Sequence, residues 1–355
     1  MERFEGIELL RHLCLISGPT GSEERVAEAI KEQLSDIEGI EMRSDKGGNL
    51  IVLYPCGIEN ATRVMVSAHM DEVGMMINEI TDDGYLKFSC LGGIDPRVLC
   101  GRHVTIMGEA GDIPGVIASK AIHHQTADER RTATTVDKMY INIGAADKEE
   151  AQKHVAVGDS GIFVSDFYTL GSEGKTLCCK AIDDRLGCAV MIEVLRRLSA
   201  GKVQLPFDVY FCFTTREEIG LSGAQTAAQS IAPEISIVLE STAVADIAGV
   251  GETSKVAKLG EGGAISLADR STIYNRELVD YAMELSKAHG IKAQIKKLVS
   301  GGNDAGHIHK SGAGVRAIAI SAPTRYLHSA TCVAHADDYE AIGQLVYAML
   351  CGKLN

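Results

Sequence analysis

An apolar run that ends in two adjacent carboxylates constrains this chain more than any other feature. Residues 207–213 (Phe-Asp-Val-Tyr-Phe-Cys-Phe) read as a buried strand, and Thr214-Thr215-Arg216-Glu217-Glu218-Ile219-Gly220-Leu221-Ser222-Gly223-Ala224 follows directly. Ser222 is the expected N-cap of the next helix, which places Glu217 and Glu218 at the carboxyl end of a strand. In an α/β sheet that edge is where ligands bind. A solvated loop that happens to hold two acids is the alternative reading, so the other strand ends decide between them.

Three more apolar runs end in the same way. Residues 63–68 lead into His69-Met70-Asp71-Glu72-Val73-Gly74, residues 235–239 end in Glu240, and residues 314–321 precede Arg325-Tyr326-Leu327-His328. Asp183 stands at the N-terminal end of a long amphipathic helix with Leu186, Val190, Val194 and Leu198 in register. His69, Asp71, Asp183, Glu217, Glu218, Glu240 and His328 thus form a mixed nitrogen and oxygen donor set, the kind that borderline divalent metals take. In His69-Met70-Asp71 the aspartate can accept the second ring N–H and fix the imidazole tautomer. A carboxylate among them can bridge two ions roughly 3.5 to 4 Å apart.

The intervening segments define the layout. Helices are expected over residues 7–16, after Ser22 as a cap, over 276–289 with Gly290 closing it, and over 337–351. From about Met75 to Tyr168 the texture changes to short β-type runs separated by turn residues, with one short helix at 148–154. The resulting expectation is an α/β domain with a mixed central sheet flanked by helices, formed by residues 1–74 together with 169–355 and interrupted at 75–168 by a small β-barrel-like domain. Within that insertion His123-His124 lies in a polar, unperiodic stretch to Arg131, read as an exposed loop, because neighbours on extended chain point to opposite sides.

Composition excludes some partners. With 35 basic against 48 acidic residues the formal charge is −13, which argues against nucleic acid as a partner. No apolar run of about 18 residues offers a membrane span, and residues 1–5 lack the features of a secretory signal. Ten cysteines are scattered without a C-x-x-C spacing, mostly inside apolar runs, and read as reduced core thiols. The expected compartment is the cytoplasm.

Ser67-Ala68-His69-Met70-Asp71-Glu72-Val73-Gly74, Lys180-Ala181-Ile182-Asp183-Asp184-Arg185-Leu186-Gly187-Cys188, Glu217-Glu218-Ile219-Gly220, Gly301-Gly302-Asn303-Asp304-Ala305-Gly306 and Arg325-Tyr326-Leu327-His328-Ser329 closely resemble peptidase family M-forty-two. This is the dinuclear glutamyl, leucyl and deblocking aminopeptidase group, whose members are sometimes labelled cellulase or endoglucanase. The resemblance implies hydrolysis of N-terminal residues from short peptides with two divalent ions per chain, zinc or cobalt. His69, Asp183 and Glu240 would hold one ion, and Asp183, Glu218 and His328 the other. Glu217 would be the general base. It also implies a homo-oligomer, from a dimer to a tetrahedral dodecamer, built through the inserted domain.

At Glu240 the chain departs from the family, where most relatives carry Asp. The added methylene moves the carboxylate by about 1.5 Å, and Asp246 is the nearby substitute. Two other function classes fit some of the pattern. A glycoside hydrolase would use a carboxylate pair such as Glu217 and Asp183, but it has no need of the histidines, and the chain has no Trp for a sugar platform. A non-catalytic metal-binding assembly protein would follow if Glu240 disabled a site.

Overall fold

The computed structural model describes residue 4 and residues 6–109 and 111–354. After helices α1 (Ile7–Leu15) and α2 (Glu24–Leu34), strands β1 (Glu41–Ser44), β2 (Leu50–Tyr54) and β3 (Arg63–His69) begin the main sheet. Strands β4 (Gly74–Ile80), β5 (Leu86–Leu91), β6 (His103–Gly108), β7 (Gly111–Ala118), β8 (Tyr140–Asn142) and, after helix α3 (Lys148–Ala151), β9 (Ser160–Phe163) close into a barrel in the order β4-β5-β8-β7-β6-β9. Its interior is filled by alternating residues of these strands, among them Met75, Ile77, Leu86, Phe88, Val104, Ile106 and Phe163. Gly74 lets the chain pass from sheet to barrel, since a Cβ there would lie 2.7 Å from Pro19 Cβ and 2.8 Å from the Gly161 carbonyl oxygen.

Strands β10 (Tyr168–Leu170) and β11 (Thr176–Cys179) lead into helix α4 (Ile182–Ala200). Then come β12 (Asp208–Thr214), α5 (Ser222–Ile231), β13 (Ile235–Ala243), β14 (Gly263–Ile265), α6 (Arg276–His289), β15 (Ala293–Ile295), α7 (Ala305–Ile308), β16 (Arg316–Thr324), β17 (Cys332–His335) and α8 (Ala336–Cys351). The main sheet runs β1-β2-β12-β3-β13-β16-β14-β15, and its centre, β12-β3-β13-β16, is parallel. Every residue of β3 from Val64 to His69 is buried, so helices cover both faces of the sheet, as parallel strands require. The fold class read from the sequence, a mixed sheet with flanking helices and an interrupting barrel, is the one observed.

Several local expectations differ. Neither Ser22 nor Ser222 caps a helix: α2 starts at Glu24, and Leu221, in left-handed conformation, precedes α5. The short helix ends at Ala151 rather than residue 154, and Glu240 lies inside β13 because that strand continues to Ala243.

Candidate metal centre and active site

Four parallel strands carry the candidate side chains to one edge. The β3 and β13 register pairs Ser67 with Val238, so two residues further on His69 and Glu240 face each other on one side of the sheet. His69 Nε2 lies 3.4 Å from Glu240 Oε1 and 3.2 Å from Asp183 Oδ1. The second oxygen of Asp183 turns to the other histidine: His328 Nε2 is 3.4 Å from Asp183 Oδ2 and 3.4 Å from Glu218 Oε2. Asp183 therefore belongs to two donor groups, one with His69 and Glu240 and one with Glu218 and His328; a third group joins His69 with Glu217 and Glu218. In each group the ligand atoms lie within 4.8 Å of one another.

These separations fit a cation better than direct pairing. Charge-assisted hydrogen bonds close to about 2.7–2.9 Å, whereas two ligands on a tetrahedral ion with bonds near 2.1 Å stand about 3.4 Å apart. Glu240 Oε2 is buried without a hydrogen-bond partner among the described residues, a costly arrangement that a cation would relieve. The longer Glu side chain at 240 reaches the group with His69 and Asp183. Asp246, the alternative for that position, is instead paired with Arg325 at 2.8 Å and Lys255 at 3.3 Å.

A second layer of bonds fixes this set. Asp71, fully buried, accepts the backbone N–H of Glu217 on Oδ1 and that of Glu218 on Oδ2, both at 3.1 Å. His69 Nδ1 lies 3.1 Å from the Asp71 carbonyl oxygen and 3.4 Å from its Oδ1, leaving Nε2 to face the donor groups. His328 Nδ1 is 3.0 Å from the Gly93 carbonyl oxygen, with the same consequence. Glu23 Oε1 accepts the N–H of Arg216 at 3.0 Å and holds that residue in the left-handed region (φ 55°). Three successive N–H groups, 216 to 218, are thus taken by two carboxylates. The Asp183–Asp184 peptide at the head of α4 is cis.

Electrostatics point the same way. Burial is the largest influence on each group and raises the carboxyls of Glu217, Glu240 and Asp184 well above their usual range, with neighbouring carboxylates adding to it. Burial and the Asp183 charge push Glu218 up to about 7, and burial pushes Asp304 up to about 6. Burial disfavours the imidazolium of His69, but Glu240, Asp183 and Asp71 override it and raise that group well above normal. Asp183 is held below the carboxylate range because its bonds to His328 and His69 outweigh burial. So many acids in so small a space call for added positive charge.

Sequence pattern assigns no site role to Asp304, Asp184, Glu23 or Lys296. Asp304 accepts the Thr214 hydroxyl at 2.6 Å beneath the strand end, and its place in the Gly301–Gly306 motif is the available signal. Glu23 looks from the sequence like a first-turn acid, and Lys296, which lines the cleft beside the donor groups, follows a three-residue strand with no pattern to mark it.

Comparison with known proteins identifies the family. A sequence model of the M42 glutamyl aminopeptidase family matches residues 48–345. A provisionally named aminopeptidase of Acetivibrio thermocellus is 36% identical over 352 residues, covering 99% of this chain and 100% of the relative. Among solved structures, the TET aminopeptidase of a marine sediment archaeon (Thaumarchaeota) superposes with a TM-score of 0.94 at 34% identity, over 99% of this chain and 97% of the other. The TET1 peptidase of Pyrococcus horikoshii, described as able to assemble into a tetrahedron or a large octahedral shell, gives 0.85 at 34% identity, over 98% and 99%. The chain belongs to the M42 glutamyl aminopeptidase family and is a hydrolase of the peptidase class.

Proposed function

We propose that this chain is a metal-dependent aminopeptidase that removes N-terminal residues from short peptides. In this reading His69, Asp183 and Glu240 hold one divalent ion, zinc or cobalt, and Asp183, Glu218 and His328 hold a second. The observation that carries the reading is the two-sided contact of Asp183, whose oxygens each stand at ligand-to-ligand distance from a different histidine. Ions bound there would supply Lewis acidity, acidifying water near neutral pH and polarising a peptide carbonyl. Glu217 takes the proton of the attacking water and delivers it to the leaving amine. Asp71 orients both the base and His69, and the Gly93 carbonyl orients His328.

The barrel-bearing segment 75–168 serves, in this proposal, as a dimerisation and lid unit of a homo-oligomer up to a dodecamer. Val157, Val164, Tyr168 and Leu170 are exposed on or beside it, and the Pyrococcus horikoshii relative forms closed shells. Ten free thiols and the acidic charge suit a reducing cytoplasm. A panel of aminoacyl chromogenic substrates, assayed after chelation and after addition of zinc, cobalt or manganese, tests the activity. Hydrolysis that survives full chelation, or cleavage of cellulosic but not peptide substrates, would sink it. Light scattering tests the assembly: a mass near twelve subunits, or two, is expected, and a fully active monomer is the contrary result.

A further inference from the structure

His328 is less enclosed than the donors it faces. Its side chain is 31% exposed, against 1% for His69, 9% for Asp183 and 5% for Glu218, so packing holds its imidazole less firmly than it holds theirs. It also lies outside regular structure. Past the end of β16, Arg325 and Val333 exchange backbone N–H···O bonds of 2.8 and 2.9 Å, and the chain between them leaves the sheet as a short loop that carries His328. Two residues of that loop, Tyr326 (φ 59°) and His328 itself (φ 57°), are left-handed although neither is glycine. Residues with a side chain stay in that region only where their surroundings hold them there.

Inside the loop, Ser329 Oγ donates to the Tyr326 carbonyl oxygen at 2.7 Å and accepts the Thr331 N–H at 3.2 Å. Outside it, the Gly93 carbonyl meets the imidazole, and the base of the loop is held at Arg325. Nη2 of that residue donates to Asp246 Oδ2 at 2.8 Å, the one hydrogen bond of the guanidinium among the described residues, while its Nε is buried without a partner there. Lys255 Nζ, 3.3 Å from the other oxygen, holds Asp246 in turn. Asp246 stands just beyond the end of β13 at Ala243, after a left-handed Ala245 (φ 46°). The Asp246–Arg325 pair therefore brackets the ends of two neighbouring strands, one leading from Glu240 and the other to His328. Both side chains are partly buried, which weakens screening by salt.

We infer that Asp246 is a positioning residue for His328: through Arg325 it fixes the base of the loop, so that Nε2 stands in the donor group with Asp183 and Glu218. The assignment rests on the metal-centre reading above. Groups that orient a ligand without touching the ion weigh on metal affinity by roughly 10–100-fold. Here the effect falls on one ion alone, because His69 and Glu240 reach the other from within β3 and β13, strands that pair with each other at residues 235–238, away from Asp246.

The experiment measures zinc affinity by chelator competition on the full chain in two backgrounds. Glu240→Ala leaves the ion of Asp183, Glu218 and His328, and His328→Ala leaves that of His69, Asp183 and Glu240. Asp246→Asn, which keeps the shape and removes the charge, is expected to weaken the first ion about tenfold or more and to change the second by less than about twofold. Arg325→Met should do the same, and adding it to Asp246→Asn should bring no further loss, because both break one pair. Equal losses in the two backgrounds, no loss in Glu240→Ala, or additive losses from the two variants would each overturn the assignment while the two-ion reading stands. A wild type that binds fewer than two ions, or backgrounds that do not each keep one, removes that reading and this assignment with it.

Discussion

Asp71 grips Glu217 by the backbone rather than by the side chain: its Oδ1 accepts the Glu217 N–H at 3.1 Å, and its Oδ2 does the same for Glu218. The carboxylate therefore sets where the base and its neighbour stand while leaving both side chains free. In Asp71→Asn an amide NH₂ would confront one of those N–H groups. The expected outcome is a folded protein with metal affinity lowered roughly 10–100-fold, measured by chelator competition. Unchanged affinity would show that Asp71 is dispensable for the donor set.

Glu217→Gln keeps the shape of the side chain and removes its capacity to carry a proton. Metal content should be retained, and kcat should fall by roughly 10²–10⁴. Near-normal turnover would assign the proton transfer to another group.

Asp183 and Glu240 differ in how many donor groups each serves. Elemental analysis of metal-loaded protein should approach two ions per chain for the wild type, in keeping with bridging. Asp183→Ala should disturb both ions, and Glu240→Ala only one. If both variants lose a single ion, Asp183 does not bridge.

Away from the centre, Asp338 is buried at the head of α8 and accepts the N–H groups of Gly260 at 2.8 Å and Gly262 at 2.6 Å. Burial nevertheless pushes it up to about 7. Its folded value thus exceeds the unfolded value near 3.9, and the native state binds the proton more tightly. The stabilisation is complete below about pH 4 and is lost as pH rises to about 7, with a slope of up to about 1.4 kcal/mol per pH unit. Urea unfolding of metal-free protein should show wild-type stability falling relative to Asp338→Asn between pH 5 and 7 and running parallel above 8. Parallel curves throughout would contradict this.

Local signals are legible in this sequence and tertiary ones are not. Helix α6 is found where the sequence reading puts it because the Gly290 closure lies directly beside it, and the buried stripe of α4 follows from its period. The seven candidate donors stand out because each lies at or near the end of an apolar run. The Ser22 and Ser222 caps fail because the backbone there answers to distant groups: Glu23 bonds to Arg216, and the turn after β12 spends its N–H groups on Asp71. Glu240 looks like a strand end because β13 carries Ser241 and Thr242 as buried polar residues, which hide its continuation. Lys296 has no sequence signature at all, since the cleft it lines is assembled from several separate segments.

Arg185, two residues beyond Asp183, is wholly buried and gives its guanidinium to the carbonyl oxygens of Met70, Leu13, Ile16 and Gly18. The opening helix of the chain is therefore a structural member of the centre, joined through one side chain to both the loop after His69 and the helix that presents Asp183. Three of those four acceptors lie within residues 13–18. A shortened protein starting beyond them would strip Arg185 of three acceptors and of the cover they belong to, and would loosen the donor set from a point far from it in sequence.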